Sequence, residues 1–440
     1  MSGERPDFSV VGAGLAGSLM AILLGRAGHR VQVLERRLDP RRAGADLGRS
    51  INLAISTRGL HALEQVGLKD EVLASAVPMR GRMIHSPTGE LAFQPYGTGG
   101  QAINSVNRAG LNMLLLEAAE RQAHLTIEFD RRLGSIDLER NTLELTSRSG
   151  ETVTLPAGTI IGTDGAFSAV RGQLQIRDRF SYAQTYLAHG YKELYIPPGP
   201  GGGFQMEPNA LHIWPRGGYM MIALPNQDGS FTCTLFWAFE GSNSFAAIRT
   251  EEDLLAFFRG TYPDAVPLMP TLAHDFFANP TSSLVTVRCT PWHIEDKAVL
   301  LGDAAHAIVP FYGQGANAAF EDCVVLDECL HASPEDRGRA FATFEQRRKV
   351  HADAIADLAL ANFVEMRDHV ASPRFLFKKK VEKILHRLMP RSFVPLYTMI
   401  SFSRIPYAEA VARAARQDRI LKLAGLVLIV AVVLLMVAVT

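Results

Sequence analysis

The spacing of apolar residues changes several times along the chain, and each change marks a different kind of element. Phe8 to Val11 is a short unbroken apolar run, the mark of a buried strand, and Leu15 to Gly28 holds apolar residues at helical spacing. Arg30 to Leu34 reads as a second strand that ends at Glu35. Such a strand–helix–strand unit predicts a nucleotide-binding start. Arg37 to Ser56 is charged and Gly-bearing and predicts a long loop, followed by helix around Arg58 to Ala76. Beyond Phe180 the texture turns aromatic and β-branched. Tyr186 to Ile196, Ala210 to Leu224 and Ser230 to Phe239, with turns at Pro215-Arg216-Gly217-Gly218 and Asn226-Gln227-Asp228-Gly229, predict an antiparallel sheet. The first texture returns near Val285, with a strand at Ala298 to Leu301 and a helix after Gly315. Ala340 to His369 reads as helical, as do Lys378 to Arg387 and a stretch near Tyr407.

These elements predict an α/β chain. A Rossmann-like domain takes residues 1–177 and resumes over 285–370, with an antiparallel-sheet domain inserted over 178–284 and a helical region over 371–420. The end of the chain stands apart. From Leu423 to Thr440 no residue is charged, and a helix of that length spans about 27 Å, close to the hydrocarbon thickness of a bilayer. Arg413, Arg416, Arg419 and Lys422 precede it, which favours keeping the body on the cytoplasmic face. The expectation is one transmembrane helix over 421–440, with membrane lipid as a partner; a buried C-terminal helix is the alternative. Met1 to Asp7 has none of the parts of a secretory signal.

Composition narrows the classes further. Lys plus Arg (45) balances Asp plus Glu (45), which removes the basic excess that a nucleic-acid partner requires. Cys233, Cys289, Cys323 and Cys329 form no CxxC pair and no Cys/His cluster at metal-ligand spacing. Neither a disulfide framework nor a metal is expected, and the compartment reads as reducing.

The chemistry begins at Gly12-Ala13-Gly14-Leu15-Ala16-Gly17. Gly12 allows a tight turn, Gly14 lets the backbone approach a pyrophosphate, and Gly17 permits close packing of helix on strand. The following helix N-terminus offers free N–H groups to phosphate oxygens. Glu35, 18 residues past Gly17, stands where a carboxylate accepts ribose hydroxyls.

Two later motifs select FAD over NAD. Gly162-Thr163-Asp164-Gly165 follows the strand Thr159 to Ile161, and a helix begins over Ser168 to Arg171. Leu301-Gly302-Asp303-Ala304-Ala305-His306 follows another strand; Asp303 can take a ribityl hydroxyl while Ala304 and Ala305 let the chain pass close to the cofactor. Gly313-Gln314-Gly315 then opens a helix whose positive end can stabilise an anionic reduced flavin. His306 reads either as a structural residue or as a proton donor.

In this order the three motifs resemble the flavoprotein aromatic hydroxylases, single-component FAD-dependent monooxygenases, over roughly residues 8 to 365. The resemblance implies FAD as cofactor, NADPH as a transient co-substrate, O2 as oxidant, and a share for Asp164 and Gly165 in binding both nucleotides. No second glycine-rich fold for NADPH is visible. A narrower likeness rests on Gly48 to Ala54, Met79 to His85 with Pro95-Tyr96-Gly97, Ser105 to Asn112, Gly302 to Asp322, Asn362 to Arg367 and Tyr397 to Tyr407. It points to the branch that hydroxylates a small aromatic amino acid ortho to its aniline nitrogen, through a flavin hydroperoxide and with no protein nucleophile.

That likeness implies substrate contacts in segment 78–106 and beyond: Arg82, Tyr96, Asn362 and Tyr397 at the amino-acid end, and Pro310, Phe311 and Tyr312 beside the reacting ring. The planar fork of Arg82 suits a carboxylate. It also implies cofactor contacts from Leu15, Ala16, Arg36, Ala54, Arg108, Leu133, Ala316 and Asn317, besides Gly12, Gly14, Gly17, Glu35, Asp303 and Gly315. Ala316 and Ala319 depart from the family's usual Met and Gly, and Tyr312 sits where it varies between His and Phe. Without the likeness, Arg82 reads equally as a surface cation and the tyrosines as core aromatics. Three rivals stay open: a hydroxylase of the same fold acting on phenolic acids or quinone precursors, a membrane-bound flavin reductase, and a non-enzymatic flavin sensor.

Overall fold

The computed structural model describes residues 5–42, 52–97, 100–369 and 373–439. The Gly48 to Ile51 part of the quoted motif lies outside them.

Phe8–Val11 is buried along its whole length, as an unbroken apolar run requires, and it takes the middle of a six-stranded sheet. Val31–Leu34 and then Leu125–Glu128 lie to one side, and Thr159–Gly162 and Ala298–Leu300 to the other, all parallel. His293–Ile294 closes that second edge antiparallel. The helices Leu15–Arg26 and Arg108–Glu120 pack on this sheet and Gly315–Ala332 packs on the first of them, burying its Leu19, Met20, Ile22 and Leu24. Each such side chain contributes about 1.5–3 kcal/mol. Because the strands run parallel, the loops at Gly12, Glu35, Thr163 and Leu301 emerge at one end, where open α/β sheets hold their ligands.

The helix expected over Arg58 to Ala76 is two, Thr57–Gln65 and Lys69–Ala74. Gly67, at φ +75°, turns the chain between them through a conformation that side chains oppose.

The antiparallel texture forms a seven-stranded sheet in the order Ser282–Thr290, Ser181–Ile196, Phe231–Ala238, Met220–Pro225, Ala210–Pro215, Gly81–His85, Leu91–Pro95. Both expected turns are hairpin ends, with Gly217, Gly218 and Gly229 at positive φ. Its last two strands come from far earlier in the chain, and Gly81–His85 joins Ala210–Pro215 in parallel. Gly81 is required there, since a Cβ would stand 2.5 Å from the Gln94 carbonyl oxygen. One face is covered by two helices within the region read only as sheet, Glu251–Thr261 and Leu272–Ala278, which bring Phe258, Tyr262 and Phe276 into one cluster with Trp214 and Trp237 of the sheet. Thr250 and Asp253 cap the first of these reciprocally. The other face, with Ile84, Ile213, Met220 and Phe236, meets the long helix Arg337–Val364 and, behind it, Tyr407.

The transmembrane helix expected over 421–440 is overturned. Among the described residues no helix is long and apolar enough to cross a membrane. The chain forms one continuous helix, Tyr407–Val439, that starts inside the body with Tyr407 and Ala410 fully buried. Glu409, Arg413, Arg416, Asp418, Arg419 and Lys422 lie within its first turns, and Arg413 and Gln417 bond the carbonyls of Arg391 and Ser392. The apolar run thus extends a charged helix docked on protein, and the lipid partner expected through it loses its support.

Candidate active site

A cavity of about 620 Å³ lies between the parallel sheet and the seven-stranded one. Gly12, Gly14, Leu15, Ala16, Glu35, Arg36, Ala54, Arg108, Leu133, Asp164, Gly165, Asp303, Gly315 and Ala316 line it, as do Arg82, Tyr96, Pro310, Phe311, Tyr312 and Tyr397. Of the expected residues, Gly17, Asn317 and Asn362 do not. Each of these three supports a neighbour that does.

The nucleotide end is built by close backbone packing. A Cβ on Gly17 would stand 1.9 Å from the Gly12 carbonyl oxygen, while one on Gly14 would meet no atom within 4 Å, because that position faces the cavity. Gly12 holds φ +104° beneath Thr163, whose hydroxyl bonds the carbonyls of Val11 and Gly12. Glu35 Oε2 accepts the Ala13 N–H at 2.9 Å, and Arg37 grips the same carboxylate. Burial pushes Glu35 up, but Arg37 and these N–H groups outweigh it and hold the group below its usual range. Asp164 accepts from Ser168 and from the N–H groups of Ala169 and Val170, capping the helix Ala169–Leu174; burial nevertheless raises its pKa.

Asp303 is the contrast. Its carboxyl is exposed to the cavity and finds no hydrogen-bond partner among the described residues. Desolvation pushes its pKa up, against the charges of Arg108 and His306. A carboxylate left to a cavity, next to a backbone cradle open at Gly14 and Gly165, fits a dinucleotide that brings hydroxyls and a pyrophosphate. FAD fits both features.

Helix Gly315–Ala332 points its N-terminus into the same space. Asn317, fully buried, fastens that end. Its Oδ1 accepts the N–H groups of Ser56 and Gly59, and its Nδ2 donates to the carbonyls of Ala54 and Gly313 at 2.8 and 2.7 Å.

At the far end Arg82 lies 4.9 Å over the ring of Tyr397, with Glu365 4.0 Å from its Nη1. Tyr96 stacks on Tyr397 at 5.1 Å and Tyr312 at 5.6 Å. The Nε of Arg82 and the hydroxyl of Tyr96 are both buried without a well-formed hydrogen bond, the hydroxyl lying close to Arg82 and Tyr397 but out of line with either. Leaving such groups unpaired costs about 1–3 kcal/mol each, so this end is built to receive an acceptor. Asn362 stands behind it: its Nδ2 donates to the Phe311 carbonyl at 2.6 Å, and Phe311 stacks on Phe363 at 4.2 Å. Between the ends, Ile222, Leu224, Phe236 and Met366 make an apolar wall. The three from strands were legible only as alternation, which marks a face without saying what it faces.

Sequence reading also passed over the props. His85, on the strand of Arg82, bonds Asp264 at 2.6 Å and His212 at 2.8 Å, and Trp214 donates to the same carboxylate. On the flavin side, Asp322 accepts from His306, Arg348 and the Gly302 N–H, while Glu321 pairs with Arg348 and Arg58. His306 is therefore a buried partner of Asp322, 4% exposed, and does not line the cavity.

The family model described as the FAD binding domain matches residues 6–359. The chain belongs to this family of FAD-binding proteins and, within it, to the kynurenine 3-monooxygenase family. The relative named kynurenine 3-monooxygenase from Myxococcus xanthus is 53% identical over 96% of this chain and 91% of its own length. The relative of that name from Dictyostelium discoideum is 49% identical over 91% of this chain and 89% of its own. Among solved structures, 2-methyl-3-hydroxypyridine-5-carboxylic acid oxygenase superposes with a TM-score of 0.67 at 21% identity, covering 85% of this chain and 96% of that one. Pseudomonas aeruginosa PqsL does so with a TM-score of 0.68 at 21% identity, over 86% of this chain and all of its own. These two share the fold.

Proposed function

We propose that the chain is an FAD-dependent monooxygenase that uses NADPH and O2 to hydroxylate L-kynurenine to 3-hydroxykynurenine, a step of tryptophan degradation toward pyridine nucleotides. The observation that carries the substrate reading is the unpaired Arg82 Nε beside the unpaired Tyr96 hydroxyl, at the end of the cavity remote from the glycine loop. An amino acid's carboxylate supplies the missing acceptor.

Bound FAD, once reduced by NADPH, supplies the oxygen-activating chemistry. The residues supply position and dryness. Arg82, with Tyr96 and Tyr397, takes the carboxylate; Asn362 holds the Phe311 backbone and so sets the ring beside the substrate. The apolar wall from Ile222 to Met366 keeps water from the reacting carbon. Asp303 would hold a ribityl hydroxyl, Glu35 a ribose hydroxyl, and the amides after Gly12 the pyrophosphate. Arg36, Arg108 and Leu133 line the same cavity and would flank the cofactor, and the N-terminal dipole at Gly315 and Ala316 would favour negative charge there. The four cysteines are buried free thiols, which suits a reducing compartment.

The deciding experiment is turnover: purified protein with FAD, NADPH, O2 and kynurenine, the product analysed by mass for one added oxygen atom. Hydroxylation of phenolic acids in preference to kynurenine overturns the substrate, and product formed without O2 overturns the reaction.

A further inference from the structure

The long strand Ser181–Ile196 pairs with Phe231–Ala238 only from His189 onward; before that it pairs with Ser282–Thr290 alone, as a two-stranded ribbon. On this ribbon Tyr182 stands opposite Cys289 and Tyr186 opposite Val285, so Tyr182, Gln184 and Tyr186 share one face with them. That face looks toward the flavin loops: the Cys289 thiol donates to the Ala305 carbonyl, and Val285 lines the cavity. Tyr182 bonds Gln184, and Gln184 bonds Tyr186, locking the rings into a row. Arg171 fastens the row's start, donating to the Tyr182 hydroxyl, the Ala166 carbonyl and the Ala304 carbonyl.

Phe167, one residue past Ala166, also lines the cavity, and it is 66% exposed; Tyr186 is 50% exposed. Large rings held rigid and open to solvent at a cavity mouth mark a binding surface more than a core. Rigid rings with polar tips suit a flat heteroaromatic, since every base has a face to stack. The turn leading into the ribbon adds exposed Arg177 and Arg179.

We propose that Phe167, Tyr182 and Tyr186 form the docking shelf for NADPH, its flat rings on the aromatic row and its phosphates toward Arg177 and Arg179. This rests on the reading of NADPH as co-substrate. Two features argue for this occupant. The shelf is continuous with the cavity through Phe167 and Val285, and its cations match a phosphate-bearing ligand while the glycine loop is committed to FAD.

The test uses the full-length, FAD-loaded protein and titrates NADP+ by calorimetry, with kynurenine affinity and flavin content measured beside it. Tyr186→Ser and Phe167→Ser should each weaken NADP+ by about 5- to 100-fold. Tyr186→Phe should stay near wild type. Arg177→Glu with Arg179→Glu should weaken NADP+ and flatten its salt dependence. Kynurenine affinity and flavin content should hold in the Tyr186 and arginine variants, which lie off the cavity lining, so a folding defect would be seen at once. Unchanged NADP+ affinity in both serine variants overturns the shelf, as does a dimer that Tyr186→Ser dissociates while NADP+ still binds normally. A wild type that NADPH does not reduce at any concentration overturns the co-substrate reading and the shelf together; normal reduction in wild type with unchanged variants overturns the shelf alone.

Discussion

His306 gives its Nε2 hydrogen to Asp322 at 2.6 Å, in a place closed to solvent. The same carboxylate takes Arg348 at 2.6 Å and the N–H of Gly302, the residue before Asp303. One buried acid therefore holds the loop that presents the unpartnered carboxylate. Asp322→Asn keeps the shape and removes the charge, leaving Arg348 short of a partner. The expected loss is about 3–5 kcal/mol of stability, read from the urea midpoint, with weaker FAD binding alongside.

Acid should reach the same place. Burial pushes Asp322 up, but His306 and Arg348 outweigh burial and hold it below its ordinary value. A carboxylate depressed in the folded state stabilises the fold above the unfolded value, about 3.9, and that share is lost as the pH falls through the folded value. The stability gap between wild type and Asp322→Asn should therefore be full near neutrality and narrow below about pH 4. Denaturation curves across that range test it.

Asp303→Ala removes the unpartnered carboxyl that faces the cavity without touching the core packing behind it. The purified variant should be colourless or nearly so while keeping its fold by circular dichroism. A fully yellow preparation would remove Asp303 from the cofactor site.

Arg82→Ala should raise the kynurenine KM by roughly 10- to 100-fold, the worth of a hydrogen-bonded charge pair, with FAD still bound. Arg82→Lys should recover only part of this, because an ammonium lacks the planar fork. Steady-state kinetics beside a flavin absorbance spectrum separates the two effects.

Asn317 makes four hydrogen bonds that alternate in direction, two accepted and two donated. Asn317→Asp is nearly isosteric, yet it turns a carboxylate oxygen toward the carbonyls of Ala54 and Gly313. It should lose about 3 kcal/mol or more and much of its flavin, despite the conserved size. Thermal unfolding and flavin content measure both.

How legible the molecule was depends on the range of the forces involved. The glycine loop, Glu35 and the strands around them were readable because turn geometry and apolar runs act within a few residues. The same holds for the two hairpins with Gly217 and Gly229. The parallel seat of Gly81–His85 beside Ala210–Pro215 was not readable, since that pairing joins residues more than a hundred apart with no local signal. Helices Glu251–Thr261 and Leu272–Ala278 were missed beneath a strong β texture, although Thr250 and Asp253 carried a capping box. Of the site, the motifs and the family likeness pointed to residues at both ends of the cavity but to less than half of its lining. What they missed was which partners are absent: nothing in the sequence says that Arg82 Nε goes unpaired or that Asn362 turns to the Phe311 carbonyl. The tail misled because an uncharged run was weighed apart from the charged turns and buried Tyr407 that begin its helix.

The borrowed strands Gly81–His85 and Leu91–Pro95 make the molecule hard to divide. Split at any point between residues 100 and 180, one fragment keeps two strands whose sheet is elsewhere, and the other keeps a sheet ending on the bare edge of Ala210–Pro215. Neither piece could bring Arg82 to Tyr312 and Tyr397. Modular shuffling of this architecture would have to move both stretches together, so new substrate preferences are more easily reached by changing side chains along the wall than by exchanging whole segments.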